Sequence, residues 1–465
     1  MRDKYADLID QTFDFPQNGF EVKNEELYFH GVALMDIIEQ YGTPLKLTYL
    51  PRISTQIKKA RKWFDAAMRK HQYAGRYYYS YCTKSNHFSF VLKEVLKNKT
   101  QLEISSAFDI SIIQKLHKQQ KLDKDIFIIC NGYKPENYLD GIRQLINDGF
   151  HNTITIFDNV HELDYLSNHF SETQPLKVGI RIATEEEPRF LFYTSRLGIR
   201  YKKIISFYKE KIATQSNIKL TMLHFFINTG IKDTAYYWNE LSKAINLYVE
   251  LRKLSPDLKY LNIGGGLPIK TSLSFEYDYE YMIDEIVGQI KSICDKNNVP
   301  TPDIITEFGN FTVGESAANI YSIINQKKQN DREAWDMINS SILTTLPDIW
   351  ALNQRYVLLP INHWDFPYER VHLGGLTCDS EDFYSEEAHS KAIFLPRFEK
   401  ENPLHIGFFH TGAYQEALAG YGGIQHCLIP APKHVLVDID ENGQLTTSLF
   451  SEEQNADSML NILGF

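Results

Sequence analysis

Three places in this 465-residue chain carry residue types that could do chemistry. Lys84 stands in Tyr81-Cys82-Thr83-Lys84-Ser85-Asn86, directly after an apolar, β-rich run. A lysine partly removed from water there shifts toward its neutral, nucleophilic form and could make a Schiff base with a carbonyl group. Gly264, Gly265 and Gly266 follow Leu261-Asn262-Ile263, and without side chains their backbone N–H groups could approach a phosphate. Glu307 closes another apolar run in Thr306-Glu307-Phe308-Gly309. A carboxylate in that place could bond a protonated ring nitrogen, a charge-assisted hydrogen bond worth about 1.5–3 kcal/mol. Each has an ordinary reading by itself: a solvated lysine at a strand end, a plain glycine loop, one acid in a loop. Together, an amine for an aldehyde, a loop for a phosphate and an acid for a pyridine nitrogen point to pyridoxal phosphate.

Such residues need a frame that gathers them, and the apolar periodicity supplies one. Short β-rich runs occupy 77–82, 101–105, 125–130, 153–157, 177–183, 219–227, 260–263 and 303–307, with helical spacing between most of them, as at 88–97, 110–118, 161–170 and 236–254. Strands alternating with helices imply parallel pairing through right-handed crossovers. Eight such units close a (β/α)8 TIM barrel, whose βα loops carry catalysis. All three candidates stand at that end of a run. A doubly wound open sheet is the alternative, and the number of runs argues against it.

After about residue 318 the texture changes to hairpin-like runs at 321–326, 356–359, 404–409, 434–439 and 444–449, the last two flanking Asn442-Gly443. This predicts a second, mainly antiparallel β domain, closed by a short helix over 457–463. The expected organisation is a segment at 1–44 that contributes to the β domain through a strand-like stretch at 27–31, a barrel over 45–318 and the β domain over 319–465.

Composition narrows the function classes. With 49 basic against 59 acidic residues and a net charge of −10, there is no basic stripe to hold a phosphate backbone, so a nucleic-acid partner is disfavoured. Cys82, Cys130, Cys294, Cys378 and Cys427 lie far apart with no CxxC, which argues against a zinc module and a disulfide framework and leaves no metal expected. The N-terminus lacks an apolar signal core, and no run approaches the roughly 18 apolar residues of a membrane span. The expected address is the cytoplasm, with no membrane partner.

The order and wording of these segments resemble the alanine-racemase-like, fold III pyridoxal phosphate decarboxylases acting on ornithine, diaminopimelate and arginine, over about residues 40–430. The resemblance implies that Lys84, in a Tyr-x-x-Lys-x-Asn segment, binds the cofactor, that Gly264, Gly265 and Gly266 hold its phosphate and that Glu307 meets its ring nitrogen. It matches Glu103 and Arg181 to positions that buttress the cofactor, and the tyrosine of Gly412-Ala413-Tyr414 to one that reaches the phosphate. Cys378, in Cys378-Asp379-Ser380, matches a cysteine that comes from the partner subunit to reprotonate the substrate carbon, which implies a homodimer with shared active sites. By itself Cys378 would more often be a buried core cysteine. Two segments depart from the pattern. Relatives stack a histidine on the ring in a Phe-His-x-Gly-Ser-like segment, where this chain has Phe225-Phe226-Ile227-Asn228-Thr229-Gly230, leaving Phe226 to stack and Thr229 to donate to the phosphate. The Pro-Gly-Arg or Ser-Gly-Arg that follows the ring-binding acid is here Phe308-Gly309-Asn310, without the arginine's cation.

Leu346-Pro347-Asp348-Ile349-Trp350 resembles a segment of biosynthetic arginine decarboxylases that supplies an acid for the far end of a cationic substrate. Asp348 and Asp379 would offer two carboxylates, and bidentate pairing favours a guanidinium over an ammonium. The resemblance therefore implies decarboxylation of arginine to agmatine in polyamine biosynthesis, ahead of ornithine or lysine and then diaminopimelate. A racemase, or a cofactor-binding protein without decarboxylase activity, is the reading from another class. The Cys378-Asp379-Ser380 and Gly412-Ala413-Tyr414 segments argue against the racemase.

Overall fold

The computed structural model describes residues 15–17, 19–185, 194–330, 333–384 and 393–465. They form two compact units. One comprises Ser54–Pro268 and Tyr277–Thr312; the other holds the described residues up to Ile53, Ile269–Glu276 and those from Val313 on.

The first unit is a closed barrel of eight parallel strands, Tyr77–Cys82, Gln101–Ile104, Ile128–Cys130, Thr153–Phe157, Leu176–Ala183, Ile218–His224, Tyr260–Asn262 and Asp303–Glu307, each paired with its neighbours in chain order and the last with the first. The eight expected runs each become one strand of that barrel. Its strands are covered on both faces, as the parallel arrangement requires, and Thr153–Phe157 and Asp303–Glu307 are buried at every position. The interior is filled by Ile129, Ile154, Ile156, Met222 and Ile305. At the strand starts, Tyr78, Phe127 and Tyr260 pack edge to face with ring centroids 5.1–6.2 Å apart and plug that end. Polar groups are thereby left to the opposite end, where the strands finish. Helices between strands start on matched caps: Ser106 and Asp109 make a reciprocal capping box on Ala107–Lys118, and Asn159 and Thr234 cap Val160–Ser167 and Ala235–Leu254.

The second unit is built around the long strand Ala317–Asn330. Antiparallel neighbours are Leu45–Tyr49, His405–Phe409 and Glu333–Ile338, and the hairpin of Lys433–Ile439 with Leu445–Ser451 continues the sheet. Antiparallel pairs dominate, as expected, although Lys433–Ile439 runs parallel to Leu45–Tyr49 and Glu333–Ile338 parallel to Tyr368–Gly374. The hairpin turn rests on Asp440, whose side chain accepts from the Asn442 and Gln444 backbone, with Gly443 at φ +80°. Leu27 and Phe29 of the strand Glu26–Phe29 pack with Leu45, Leu47, Ile320 and Val435, which gives the N-terminal segment its place in the β core.

The barrel boundaries differ from those expected. Leu45–Tyr49, placed with the barrel in the sequence reading, hydrogen-bonds into the β sheet instead, and 313–318 also belong to the β unit. Ile269–Glu276 joins that unit through Lys270, whose N–H donates to Glu315 and whose carbonyl accepts from His410. Among the described residues no helix is long and apolar enough to cross a membrane.

Buried histidines make this unit acid-sensitive. His434, bonded through Nε2 to the Thr48 hydroxyl, is held well below the ordinary imidazole range by burial and by the Lys46 charge. In His410 burial likewise outweighs the pull of Glu315. A histidine that resists protonation when folded contributes stability in full above its unfolded value of about 6.5, and loses it as pH falls below that value toward the folded one. The unfolding midpoint should drop on acidification from about pH 7 to 5, and His434→Gln should flatten that slope; a slope parallel to wild type would remove His434 as a cause.

Candidate active site

The loop after the first barrel strand is anchored on every side of Lys84. Thr83–Ser85 form a 3-10 turn in which Lys84 alone is exposed. The Tyr81 hydroxyl donates to the Asn86 carbonyl at 2.9 Å, and the Thr83 hydroxyl lies 2.9 Å from Asp109 and 3.2 Å from the Glu103 carbonyl. Asp109 is the acid of the capping box and sits 3.2 Å from His87 Nε2. One carboxylate thus fixes both a helix start and the lysine loop.

Around that loop the strand ends converge. Glu103 on the second strand and Glu307 on the eighth are both buried, and the Lys84 charge acts on each. Their environments push them apart. Burial raises Glu103, and the negative charge of Glu307 adds to it against Lys84. For Glu307 the burial penalty is outweighed: His224 Nε2 stands 3.3 Å away, Lys84 adds its charge, and Asn262 donates to Oε1 at 2.6 Å, so its carboxyl is held down. Arg181, on the fifth strand, donates to Asn131 at 3.3 Å and lies over the Phe226 ring, 5.4 Å from its centroid. The Cys82 thiol donates to the Glu307 carbonyl at 3.2 Å.

The glycine loops are packed backbone to backbone. Gly264 has φ +70°, and a Cβ there would meet the Phe225 carbonyl at 2.6 Å and the Phe226 ring at 3.0 Å. A Cβ on Gly265 would run into the Glu307 carbonyl, and one on Gly266 would come within 2.7 Å of the Gly230 Cα. Gly230 ends the segment that contains Thr229, and Ile231 N–H donates to the Gly266 carbonyl.

Of the residues singled out from sequence, Lys84, Glu103, Arg181, Phe226, Thr229, Gly264, Gly265, Gly266 and Glu307 therefore all belong to the barrel unit, at or just past its strand ends. Asp348, Cys378, Asp379 and Tyr414 belong to the β unit. Asp348 is buried in the first turn of Pro347–Leu352, where Gln415 donates to its Oδ2 at 2.7 Å, while Oδ1 has no partner among the described residues. Asp379 has other company: its Oδ2 lies 3.6 Å from His426 Nε2. Tyr414 takes φ +69° just before Gln415–Leu418. Cys378 is exposed rather than a core cysteine. His224, Asn131, Asn262 and Gln415 were not singled out from sequence. His224 and Asn262 each close a barrel strand, as Glu307 does, and that position was the available signal.

A family model described as the pyridoxal binding domain of pyridoxal-dependent decarboxylases matches residues 53–314, more than half of the chain. The chain belongs to the pyridoxal-dependent decarboxylases. The biosynthetic arginine decarboxylase of Prochlorococcus marinus subsp. pastoris is 22% identical to this decarboxylase, over 92% of this chain and 83% of the relative. Among solved structures, the biosynthetic arginine decarboxylase of Campylobacter jejuni aligns with a TM-score of 0.80 at 22% identity, covering 96% of this chain and 89% of that one. The diaminopimelate decarboxylase of M. jannaschii, in complex with L-lysine, aligns with a TM-score of 0.79 at 17% identity, covering 95% and 97%. The fold is shared with both.

The barrel end of this decarboxylase fits its cofactor. Arg181 Nε is buried with no hydrogen-bond partner among the described residues, a costly state unless a bound group completes it, and beside it the buried Glu103 carboxylate is met by the Cys82 and Asn131 side chains. The glycine loops leave a stretch of backbone that any side chain would fill. Gly265→Ala tests that packing: the methyl group must displace the Glu307 carbonyl, so the variant should lose about 1–3 kcal/mol of unfolding free energy. Denaturant titration measures it, and wild-type stability would show that the loop has slack.

Proposed function

We propose that this decarboxylase converts L-arginine to agmatine and carbon dioxide, in the cytoplasm, as a homodimer. The observation that carries the substrate assignment is Asp348, a buried carboxylate with one oxygen unpartnered among the described residues, in a chain whose relatives along 92% of its length bear the name biosynthetic arginine decarboxylase. Burial raises its carboxyl against the Gln415 bond, and a cationic end group would supply the missing counter-charge. Asp379 provides the second carboxylate.

Lys84 holds the cofactor covalently through Nζ. Gly264, Gly265, Gly266, Thr229 and Tyr414 would hold its phosphate, Phe226 its ring face, and Glu103 and Arg181 would buttress it. Bound there, pyridoxal phosphate supplies the electron sink for the pair released when the α-carboxylate leaves. Glu307, kept ionised by His224, Lys84 and Asn262, holds a proton on the ring nitrogen. Cys378 returns a proton from Sγ to the substrate α-carbon. Contact with the Cys427 thiol raises Cys378, which favours the protonated form that such a donor needs.

Exposed apolar side chains in the β unit, among them Trp350, Leu352, Leu376, Leu418 and Leu428, offer apolar surface for a second copy to cover. In an isologous dimer with shared sites, Lys84→Ala and Cys378→Ala chains, each inactive, regain one complete site when mixed. Activity should return in such hybrids; none, with subunit exchange confirmed, would place both residues in one chain's site.

The substrate is tested by kcat/KM for arginine, ornithine, lysine and diaminopimelate on wild type and Asp348→Ala. Truncating one partner of a buried charge pair costs about 2–5 kcal/mol, so the variant should lose more than about tenfold on arginine while retaining cofactor. Ornithine should be poorer in wild type, because its ammonium lacks the planar fork of a guanidinium. A preference for ornithine, or an unchanged Asp348→Ala, overturns the corresponding half.

A further inference from the structure

Three of the five cysteines are buried, and the two exposed ones, Cys378 and Cys427, face each other with Sγ atoms 3.6 Å apart. His426 joins them: its ring and both thiols offer ligand atoms that all lie within 4.8 Å of one another. Cys427 and Leu428 both take positive φ, +54° and +53°, a bend that lets the consecutive residues His426 and Cys427 reach Cys378 across 49 positions. Two thiolates bound tetrahedrally at about 2.3 Å from a zinc ion stand about 3.8 Å apart, close to the spacing found here, whereas a disulfide needs about 2.05 Å. The thiols are thus already spaced for a shared ion. The Asp379 carboxylate, 3.6 Å from His426 Nε2, puts an oxygen donor at the edge of the same cluster.

We propose that Cys378, His426 and Cys427 bind a thiophilic divalent cation of the zinc type, and that its binding stops turnover by taking the Cys378 thiol. Two sulfur–metal bonds and one nitrogen–metal bond form, both thiols release their protons to solvent, and no electron changes hands. The fourth tetrahedral position is left to water, with Asp379 at its edge, so the ion has three protein ligands and an open position. A thiolate held by the ion has no proton to give. The binding half stands on the cluster alone; the inhibitory half rests on Cys378 as proton donor.

Co2+ is the probe, added to the reduced holoenzyme. Tetrahedral thiolate coordination gives visible d–d bands to the red of the cofactor's absorption, and Zn2+ should bleach them at one ion per chain. Cys427→Ser should weaken Co2+ binding by at least about tenfold. Absent bands, or bands that persist in Cys427→Ser, overturn the site. Zn2+ should also inhibit wild type, reversibly with a chelator, and leave Cys427→Ser at least about tenfold less sensitive. Full turnover by wild type with the site saturated would overturn the inhibitory half and the donor role of Cys378 while leaving the metal site standing.

Discussion

Closure of the barrel between its first and last strands is the constraint on which the active end depends. Glu307 pairs in register with Ser80, and Lys84 lies four residues further along. Residues more than 200 positions apart thereby become neighbours, and their spacing is set by strand pairing together with the side-chain hydrogen bonds that anchor the Lys84 turn. Aromatic rings plug the opposite end, so the polar groups gather where Glu103, His224, Asn262 and Glu307 finish their strands. Pairing of parallel strands in this way is slow to find and rigid once found.

Rigidity matters because charges are buried there. Two carboxylates near one lysine would repel each other if both were ionised. The fold separates them by company: Glu307 has an imidazole, a lysine charge and an amide donor, while for Glu103 burial and the Glu307 charge outweigh the help of Lys84, Cys82 and Asn131. One is kept ionised and the other is pushed toward its neutral form, an acid and a base in the same few ångströms. Removing a supporting group such as Asn262 would disturb this division without touching either carboxylate.

The barrel was legible because each strand is a short apolar run ended by polar or glycine residues, and because helical spacing recurs between the runs. Residues 45–49 fall inside the expected barrel bounds for a physical reason: nearness in sequence to the barrel does not say which sheet will bury a strand, and the partners of Leu45–Tyr49 come from residues 317–320 and 433–437. Lys84, Glu307 and the glycine triplet were visible through their positions at strand ends. His224 obeys the same rule but was passed over in favour of the aromatic pair beside it, Phe225-Phe226. The meeting of Cys378 with His426 and Cys427 had no sequence signal, since the spacing that brings them together is made by tertiary folding of the β unit and not by a local motif.

The strand Ala317–Asn330 has a consequence for how the β unit comes apart. Ala318 and Ile320 belong to one apolar cluster, with Leu45, Val357 and Val435, and Tyr321 and Ile323 to another, with Leu358, Val371 and Phe408. A single continuous backbone is thus a wall of two cores. Neither cluster can be exposed to water without loosening the strand that seals its neighbour, so the unit has no natural seam along which half of it could melt while the other half persists. Local damage at either core is transmitted to the whole unit as a loss of cooperativity-linked stability instead of being contained as a local opening.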